Sequence, residues 1–536
     1  MTLLAGFLDV LLRGVGLVAF SIAAGGVAFL SLLQAGKAGP SPLEARARAR
    51  SLRLVVAAAL TLAATTAVGL GLKPWALASP DGRWPILDFL ATEYAVAGVL
   101  RIAAAALLAG LAAGLARRPR ARHEVVILAL PAAALVGASA WASHSLARLD
   151  GRLVLMALDV LHRTAAALWV GGLVHLLAFW LAWKRERTDA LGLAVLRRFS
   201  RMAVGAVLVL LAAGLSQTVL YVGSIGGLFG TGYGIMVVSK VVLLALALLL
   251  GGWNNVLVRR LGAGAGELPP SRVRWLVETE IGVVVAVLLA AASLTSLPPA
   301  IDVREDRATL SEVAARFQPR VPRLSSPPIT ELLATAAPIT EASAPRQPAE
   351  YAWSEYNHHT AGLFVLAMGL LASFERGRRR SWARHWPLLL FGLAAFMFVR
   401  NDPRAWPLGP AGFWETLLLP DVLQHRISVA LVVALGAVEW LVRAGRLRSA
   451  RWAYVFPLLC LAGGALLLTH SHAMFNLKAE FLTEVAHTPL GVLGVVLGCS
   501  RWLQLRLPPP DNRLPGHVWA AAMVIMGLIL TFYREG

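Results

Sequence analysis

Fourteen long apolar stretches, spread over the whole chain, constrain most strongly what this sequence can fold into. A helix needs about 20 apolar residues to cross the hydrocarbon core of a bilayer. The stretches lie at residues 9–33, 54–72, 95–116, 124–142, 154–182, 202–222, 235–257, 276–297, 359–374, 386–399, 426–442, 453–469, 486–500 and 518–533. They predict an all-α fold, a polytopic membrane helix bundle of about 14 transmembrane helices. The first stretch carries Arg13 and is too long for a cleaved signal peptide, so we expect it to stay in the bundle.

The composition supports the same class. Apolar residues make up 57% of the chain and charged residues 15%, and the mean hydropathy is +0.67. A soluble domain is about half apolar and about one quarter charged. The balance excludes a disordered chain, a coiled coil and most cytosolic enzymes.

The positive charge falls unevenly between the predicted loops. Lys and Arg number 50 against 30 Asp and Glu, a net charge of +20 that invites a nucleic-acid interpretation. With the N-terminus outside, the inner loops hold 31 Lys and Arg and the outer segments hold 14. Positively charged residues concentrate in cytoplasmic loops. The asymmetry predicts that both termini lie outside, and it excludes nucleic acid as a partner.

One long non-membrane stretch, residues 298–352, divides the chain. It is rich in Pro, Ala, Ser and Thr and has too few large apolar residues for a core of its own. We expect an extracytoplasmic linker with one short helix near residues 307–317. It would separate an eight-helix module, residues 1–297, from a six-helix His-rich module, residues 353–536.

The placement of the histidines is the most informative functional feature. Eight of the twelve fall at or near the outer ends of the predicted helices: His144, His162, His358, His359, His425, His470, His472 and His487. If position were indifferent, the inner ends would hold a similar share. Neutral imidazoles gathered at one face suit a transition-metal ion such as copper, zinc, iron or nickel. The sequence therefore predicts His-rich metal sites at the outer face.

Local spacing divides these histidines between two sites. His144 and His162 would form or gate one site, with Asp159 three residues before His162 as its supporting carboxylate. A second site would lie between the later helices. Its expected ligands are His359, His425, His470, His472 and His487, with Met474 as a further ligand.

Three patterns refine the second site. The sequence Thr-His-Ser-His-Ala-Met at residues 469–474 offers two imidazoles and a thioether, and the soft Met474 sulfur favours Cu(I). His358 and His359 are adjacent, and successive helical residues point about 100° apart, so we expect only one to face inward. Asp421 and His425 are four residues apart, a spacing that lets the carboxylate orient the imidazole.

Charged residues inside the apolar stretches form a third group. Burying an unpaired charge in a membrane costs several kcal/mol, so such residues are usually paired or functional. Arg101 and Lys240 are expected to pair with carboxylates such as Asp159, Glu278 or Glu280. Both a structural role and a place in an ion path remain open for these pairs.

Two other interpretations of the histidines stay open. A single His at a helix end is usually an interfacial side chain with an apolar body and a polar tip. Histidine pairs also ligate haem in membrane bundles, so a His cluster does not by itself select copper.

The predicted helices 5 to 8 resemble the copper resistance protein D (CopD) family. The run Leu158–Leu173 reads LDVLHRTAAALWVGGL, and it is followed by Arg198–Arg201, by Gly232–Gly234 with Lys240, and by Trp253–Asn255. The series continues with Val277-Glu278 and Gly282, and ends in Ser296–Pro299. Arg101 and the turn Ser143–Ser145 also resemble family positions, although Ser143 stands where the family has a small Gly. The resemblance covers roughly residues 1–300.

The resemblance implies a multi-pass protein of the bacterial inner membrane that takes part in copper homeostasis and resistance. It implies copper, as Cu(I) or Cu(II), as the bound ion, and transport of copper or its receipt from a periplasmic copper chaperone. A haem- or copper-containing redox protein is the alternative. No Walker, aspartyl-phosphate or CPC motif occurs in the sequence, which favours a transporter or metal-transfer protein over an ATP-driven pump or another enzyme.

Overall fold

The computed structural model describes most of the chain. The described residues are 2–33, 41–76, 86–118, 123–142, 151–183, 189–262, 271–335, 347–378, 382–417, 419–469 and 477–535. Their regular structure is helical, apart from one isolated bridge between Ala405 and Ala411.

In the first half of the chain, the described residues form eleven α-helices. They are α1 (Thr2–Leu32), α2 (Pro42–Ala76), α3 (Ile86–Leu90), α4 (Glu93–Ala116), α5 (Glu124–Trp141), α6 (Arg152–Ala166), α7 (Gly172–Trp183), α8 (Asp189–Val222), α9 (Ile225–Phe229), α10 (Gly232–Gly262) and α11 (Ser271–Leu294). A π-helical segment, Ala167–Gly171, joins α6 to α7, and a 3₁₀ turn, Ala300–Asp302, follows α11.

Ten more α-helices lie in the described part of the second half. They are α12 (Leu310–Arg316), α13 (Ile329–Thr335), α14 (Pro348–Arg378), α15 (Leu389–Val399), α16 (Phe413–Thr416), α17 (Pro420–Arg443), α18 (Val455–Leu468), α19 (Leu477–Glu484), α20 (His487–Arg506) and α21 (Arg513–Thr531). The 3₁₀ segments Ala383–Leu388 and Trp452–Tyr454 precede α15 and α18.

The predicted membrane bundle is confirmed. Within the described residues, 11 helical spans are long and apolar enough to cross a membrane, and two shorter apolar ones are Ala383–Val399 and Trp452–Leu468. The remaining predicted stretch, residues 359–374, lies inside α14. The helices overrun several of the apolar stretches because their end turns find polar partners. Arg48 in the first turns of α2, for example, donates to Glu124 at 2.7 Å and to the Leu115 carbonyl at 2.9 Å.

Successive helices bring their ends together at two opposite ends of the bundle. At one, which we call the histidine end, Asp9 near the start of α1 pairs with Lys73 near the end of α2, and His358 of α14 meets His487 of α20. At the other, the arginine end, Arg48 pairs with Glu124.

The two predicted modules share packing. The largest cluster of buried apolar side chains joins residues of α1, α2 and α11 to Ala465, Leu468 and Val495 of the second half. Ser293 Oγ near the end of α11 donates to the Leu468 carbonyl at 2.9 Å. The interface therefore runs from α11 to α18 and α20.

The linker contains the expected short helix, found as α12, and a second one, α13, that was not expected. It also packs on the histidine end: Ala308 and Val313 join Phe481 and Val485 in one apolar cluster. Other apolar side chains of the linker differ in burial: Leu332 packs with Trp353 of α14, whereas Phe317 and Val321 are exposed.

A close helix contact positions the π segment in the first half. On α1 the small residues Ser21 and Gly25 are four apart, and the backbone of the π segment approaches them. A Cβ at Gly171 would overlap the Ser21 carbonyl oxygen, and one at Gly25 would overlap the Ala167 carbonyl oxygen. Small residues at this spacing let membrane helices approach closely.

Candidate metal site

His358 is oriented by its own helix. Ser354 lies one turn before it on α14, and the His358 Nδ1 is 2.8 Å from the Ser354 carbonyl oxygen. A carbonyl oxygen can only accept, so Nδ1 carries the proton in this contact. In the neutral ring Nε2 is then left with a lone pair, the form in which imidazole binds a metal.

His487, the first residue of α20, faces this nitrogen. The two Nε2 atoms are 3.2 Å apart, and the ring centroids are 5.2 Å apart with an interplanar angle of 66°. Imidazole nitrogens bind zinc-like ions at about 2.0–2.1 Å, so two ligands of one tetrahedral ion lie about 3.3 Å apart. The distance between the two Nε2 atoms fits a hydrogen bond between the rings, and it also fits two nitrogens bound to one ion.

Tyr533, beyond the end of α21, closes the other side of His358. Its ring stacks on that imidazole with centroids 4.1 Å apart, and its hydroxyl donates to the Thr483 carbonyl at 3.2 Å. The side chain is buried. The tyrosine therefore holds the His358 ring flat against the C-terminal segment.

His359, the residue chosen from the sequence, is engaged elsewhere. Its Nδ1 accepts from the Arg323 backbone N–H at 2.7 Å, and its Nε2 lies 2.8 Å from the Tyr533 carbonyl oxygen, to which it donates. Both nitrogens of this buried ring are used, so no lone pair is left for a metal ion. The structure thus gives both ring nitrogens of His359 other partners, and His358 is the histidine that faces His487.

The other expected ligands of this site divide into two groups. His425 is exposed on α17, a helix that packs mainly on α15 and α18, and Asp421 lies one turn before it in that helix. His470, His472 and Met474 lie outside the described residues. Leu468, two residues before His470, packs its side chain against Gly491, one turn after His487.

The first predicted site retains one described histidine. His162 lies on α6, and its Nδ1 is buried without a partner in the described chain. A Cβ at Gly214 would lie 3.2 Å from the ring, so this glycine makes room for it. His144 lies outside the described residues.

Asp159 does not orient His162 by a hydrogen bond. Its carboxylate instead pairs with Arg163 at 2.8 Å, one turn along α6. The charge of Asp159 also acts on Lys240 from α10. An ion pair within α6 therefore takes the carboxylate that the sequence assigned to the histidine.

The expected carboxylate partner of Arg101 is absent among the described residues. Its Nε is buried without a hydrogen-bond partner, and the formal charges that act on it are those of Arg163 and Arg13. Lys240 likewise has no hydrogen bond or ion pair in the described part of the chain, although Asp159 is within electrostatic range. The cluster within the bundle thus carries more positive than negative charge.

Glu278 connects the two halves of the chain. It accepts from Arg274 of its own helix at 2.8 Å, from Arg506 of α20 at 3.0 Å and from the Trp502 indole at 3.3 Å. Glu280, two residues later, accepts from Trp169 and Asn254. Neither carboxylate is the partner of Arg101 or Lys240.

Sequence reasoning missed three residues around the histidine pair and Glu280. Ser354 had a local signal, its spacing of four from His358, whereas Tyr533 and Trp169 reach their partners only through the fold. Among the His, Cys, Asp and Glu residues that the structure describes, no group of three or more is placed to hold a metal ion. The pair His358–His487 brings together two of the nitrogen atoms that a metal site would need.

Comparison with known proteins finds similarity to copper-related proteins in part of the chain. Residues 193–294, from α8 to α11, match the family described as "Copper resistance protein D" (CopD). The chain is also similar to "Copper transport protein CutJ" of Bacillus subtilis (strain 168), with 32% identity over 164 residues that cover 31% of this chain and 29% of that protein. The chain thus spans less than a third of the length of this curated relative, and no solved structure matches it.

The matched range is narrower than the resemblance expected over residues 1–300, since the run Leu158–Leu173 precedes it. Its end coincides with the end of α11, the helix that carries Glu278 and Glu280. Residues 193–294 are thus similar to the copper resistance protein D family, and the rest of the chain lies outside that match.

Proposed function

We propose that this multi-pass membrane protein binds a copper ion at the His358–His487 pair and transports it or transfers it to a partner. The 3.2 Å separation of the two Nε2 atoms carries this proposal. The Ser354 carbonyl fixes the His358 tautomer and leaves its Nε2 for a metal. The copper-related family supports copper over other ions that imidazole binds.

Two imidazoles alone make an incomplete site, and we propose that the segment after α18 supplies the rest. His470, His472 and Met474 follow Leu468 closely in sequence, and Leu468 packs one turn from His487. Two further imidazoles and a thioether would give a nitrogen- and sulfur-rich set that suits Cu(I). His425 stands outside this set in our proposal because it is exposed on α17.

We propose that the histidine end faces the periplasm of a bacterial inner membrane. The count of 31 Lys and Arg in the loops of the arginine end against 14 in the opposite segments supports this orientation. A periplasmic copper chaperone is then the partner that would reach the site. We also propose that the chain divides into a CopD-like module, a linker and a His-rich module.

For the first half of the chain we propose a second contact with copper at His162. Its buried Nδ1 without a described partner supports this role, with His144 as the residue that would complete or gate it. His162→Ala and His144→Ala should each lower copper transport while leaving copper retained at the His358–His487 pair. Loss of retained copper in either variant would contradict two separate sites.

The copper proposal is tested by metal content and affinity of the purified full chain. We expect His358→Ala and His487→Ala each to lower Cu(I) affinity at least about tenfold in a competition titration with a chromogenic chelator, because each removes one ligand. His517→Ala is the matched control, since that imidazole is exposed on α21. Unchanged affinity in both ligand variants would refute the site, and preference for zinc over copper would refute the metal.

An absorption spectrum of the same sample tests the redox alternative. A copper-transfer protein without haem shows no Soret band, whereas haem held by His358 or His487 would give one that these variants abolish. The described pair favours an ion, because Tyr533 stacks on His358 at 4.1 Å on the face where a macrocycle would need room.

A further inference from the structure

A cavity between α7, α8, α10 and α11 lies apart from the histidine pair. Its volume is about 290 Å³, and its walls are mostly apolar, including Phe199, Val207 and Val277. Small-molecule pockets start at about 300 Å³ and are mostly apolar with a few polar groups. The cavity therefore has the size and lining of a site for one small organic molecule.

The cavity reaches the surface of the bundle between α8 and α10. Val204 and Leu208 on α8 line it, and both are exposed, at 46% and 63%. Apolar residues exposed on a membrane-spanning helix face lipid. A molecule dissolved in the bilayer could therefore enter sideways, without crossing the polar ends.

The polar groups of the cavity form one oriented set. Glu280 accepts from the Trp169 indole at 2.9 Å and from the Asn254 amide nitrogen at 3.1 Å. Because the carboxylate takes the amide nitrogen, the remaining polar atom of Asn254 is its oxygen, an acceptor. Trp169 belongs to the π segment, a feature often found at functional sites.

The Asn254 oxygen needs a donor that the described chain does not supply. The residue is 7% exposed and lines the cavity, and its Oδ1 is buried without a hydrogen-bond partner. A buried acceptor left unsatisfied costs about 1–3 kcal/mol. A ligand that satisfies this oxygen therefore needs one hydrogen-bond donor next to an apolar body.

The charges around the cavity favour a neutral donor. Glu280 and Arg259 both line it, so the lining holds one acidic and one basic side chain. A cation would meet Arg259 and an anion would meet Glu280. We propose that this cavity binds a neutral lipid-soluble molecule with an apolar body and one hydroxyl or phenol head, whose O–H donates to Asn254 Oδ1.

A matched pair of probes tests the proposal on the full chain in nanodiscs. A diazirine-bearing alkylphenol should label peptides of α8 and α10 on irradiation. We expect 4-butylphenol to compete with this label at about tenfold lower concentration than 4-butylanisole, which has the same apolar body but no O–H donor. One neutral hydrogen bond accounts for a difference of up to about this size.

Two variants separate the hydrogen bond from the cavity. Asn254→Leu keeps the number and branching of the side-chain heavy atoms and removes the acceptor, together with the amide donor to Glu280, so it should abolish the preference for the phenol and leave competition by the ether unchanged. Ala203→Phe fills the cavity without touching the polar set, so it should abolish labelling of α8 and α10. Thermal unfolding of each variant shows whether it is folded. If Asn254→Leu does not fold, Ala203→Phe still tests the proposal.

Several outcomes would overturn the proposal. They are equal competition by phenol and ether in the wild type, labelling confined to other helices, and labelling that survives Ala203→Phe. Protection of the site by Cu(I) or Na⁺ where neither organic probe protects would show that the occupant is a cation. None of these results depends on copper binding at His358, so the two proposals can fail separately.

Discussion

At the arginine end, Arg48 and Glu124 form an ion pair that is nearly closed to solvent. Their side chains are 10% and 2% exposed, and the two atoms are 2.7 Å apart. Removing one partner of a buried pair strands the other charge, which costs about 3–5 kcal/mol. We expect Glu124→Gln to lower the free energy of unfolding by about 3 kcal/mol in an SDS titration of the detergent-solubilised protein.

The matched control is the exposed pair of Arg152 and Glu93, whose side chains are 37% and 55% exposed. Such a pair contributes about 0–1 kcal/mol. Glu93→Gln should therefore change the unfolding free energy by less than about 1 kcal/mol. Equal losses in the two variants would show that burial does not govern these pairs.

Gly171 is a second position where one residue controls a helix contact. A Cβ there would overlap the Ser21 carbonyl oxygen, so Gly171→Ala must separate α1 from the π segment. Overpacking of this kind costs about 1–3 kcal/mol. We expect a lower midpoint of thermal unfolding, while Gly205→Ala, with no atom within 4 Å of its added Cβ, should leave the midpoint unchanged or higher.

At the scale of elements, α12 is held to α19 by a pH-dependent contact. Lys478 donates to Glu312 at 2.9 Å, and the backbone N–H and hydroxyl of Thr309 donate to the other carboxylate oxygen. These contacts, that with Lys478 first, lower the pKa of Glu312 from 4.5 to about 2. A lowered carboxyl pKa stabilises the fold above the unfolded-state pKa and loses that effect as the pH falls.

The expected result is a contact that weakens between pH 4.5 and about 2. Pepsin cleavage around Leu310 and Phe317 should increase over this range in the wild type. Glu312→Gln should be cleaved at a rate that depends less on pH, once pepsin's own pH dependence is subtracted with a reference peptide. A wild-type rate that follows the variant at every pH would exclude this contact as the titrating one.

The helices and their order could be predicted because apolar length is a local property of the sequence. The bounds could not, since polar partners elsewhere in the fold extend a helix beyond its apolar stretch, as Glu124 does for the start of α2. The choice between His358 and His359 has the same cause. The two residues are neighbours in sequence. Only the packing of the linker and of Tyr533 around His359 shows that both nitrogens of the His359 ring have hydrogen-bond partners.

For the whole molecule, the charge asymmetry predicts which end faces which compartment. Ser325 lies in the linker at the histidine end and Ser449 in the turn between α17 and α18 at the arginine end, and both are exposed. In intact bacteria a membrane-impermeant maleimide should label Ser325→Cys and not Ser449→Cys. Permeabilised cells should show both labels, and the wild type gives the background of Cys460 and Cys499. The reverse pattern would invert the orientation.

The linker that packs on the histidine end also holds residues 532–535, which follow α21. The Arg320 backbone N–H donates to the Phe532 carbonyl at 3.2 Å, Arg316 contacts the Glu535 carbonyl, and the Glu535 N–H reaches Glu355 at 3.4 Å. An affinity tag or fluorescent fusion attached directly after these residues would pull on Tyr533 and so on the ring of His358. Preparations purified through such a handle should retain less copper than those tagged at the opposite terminus.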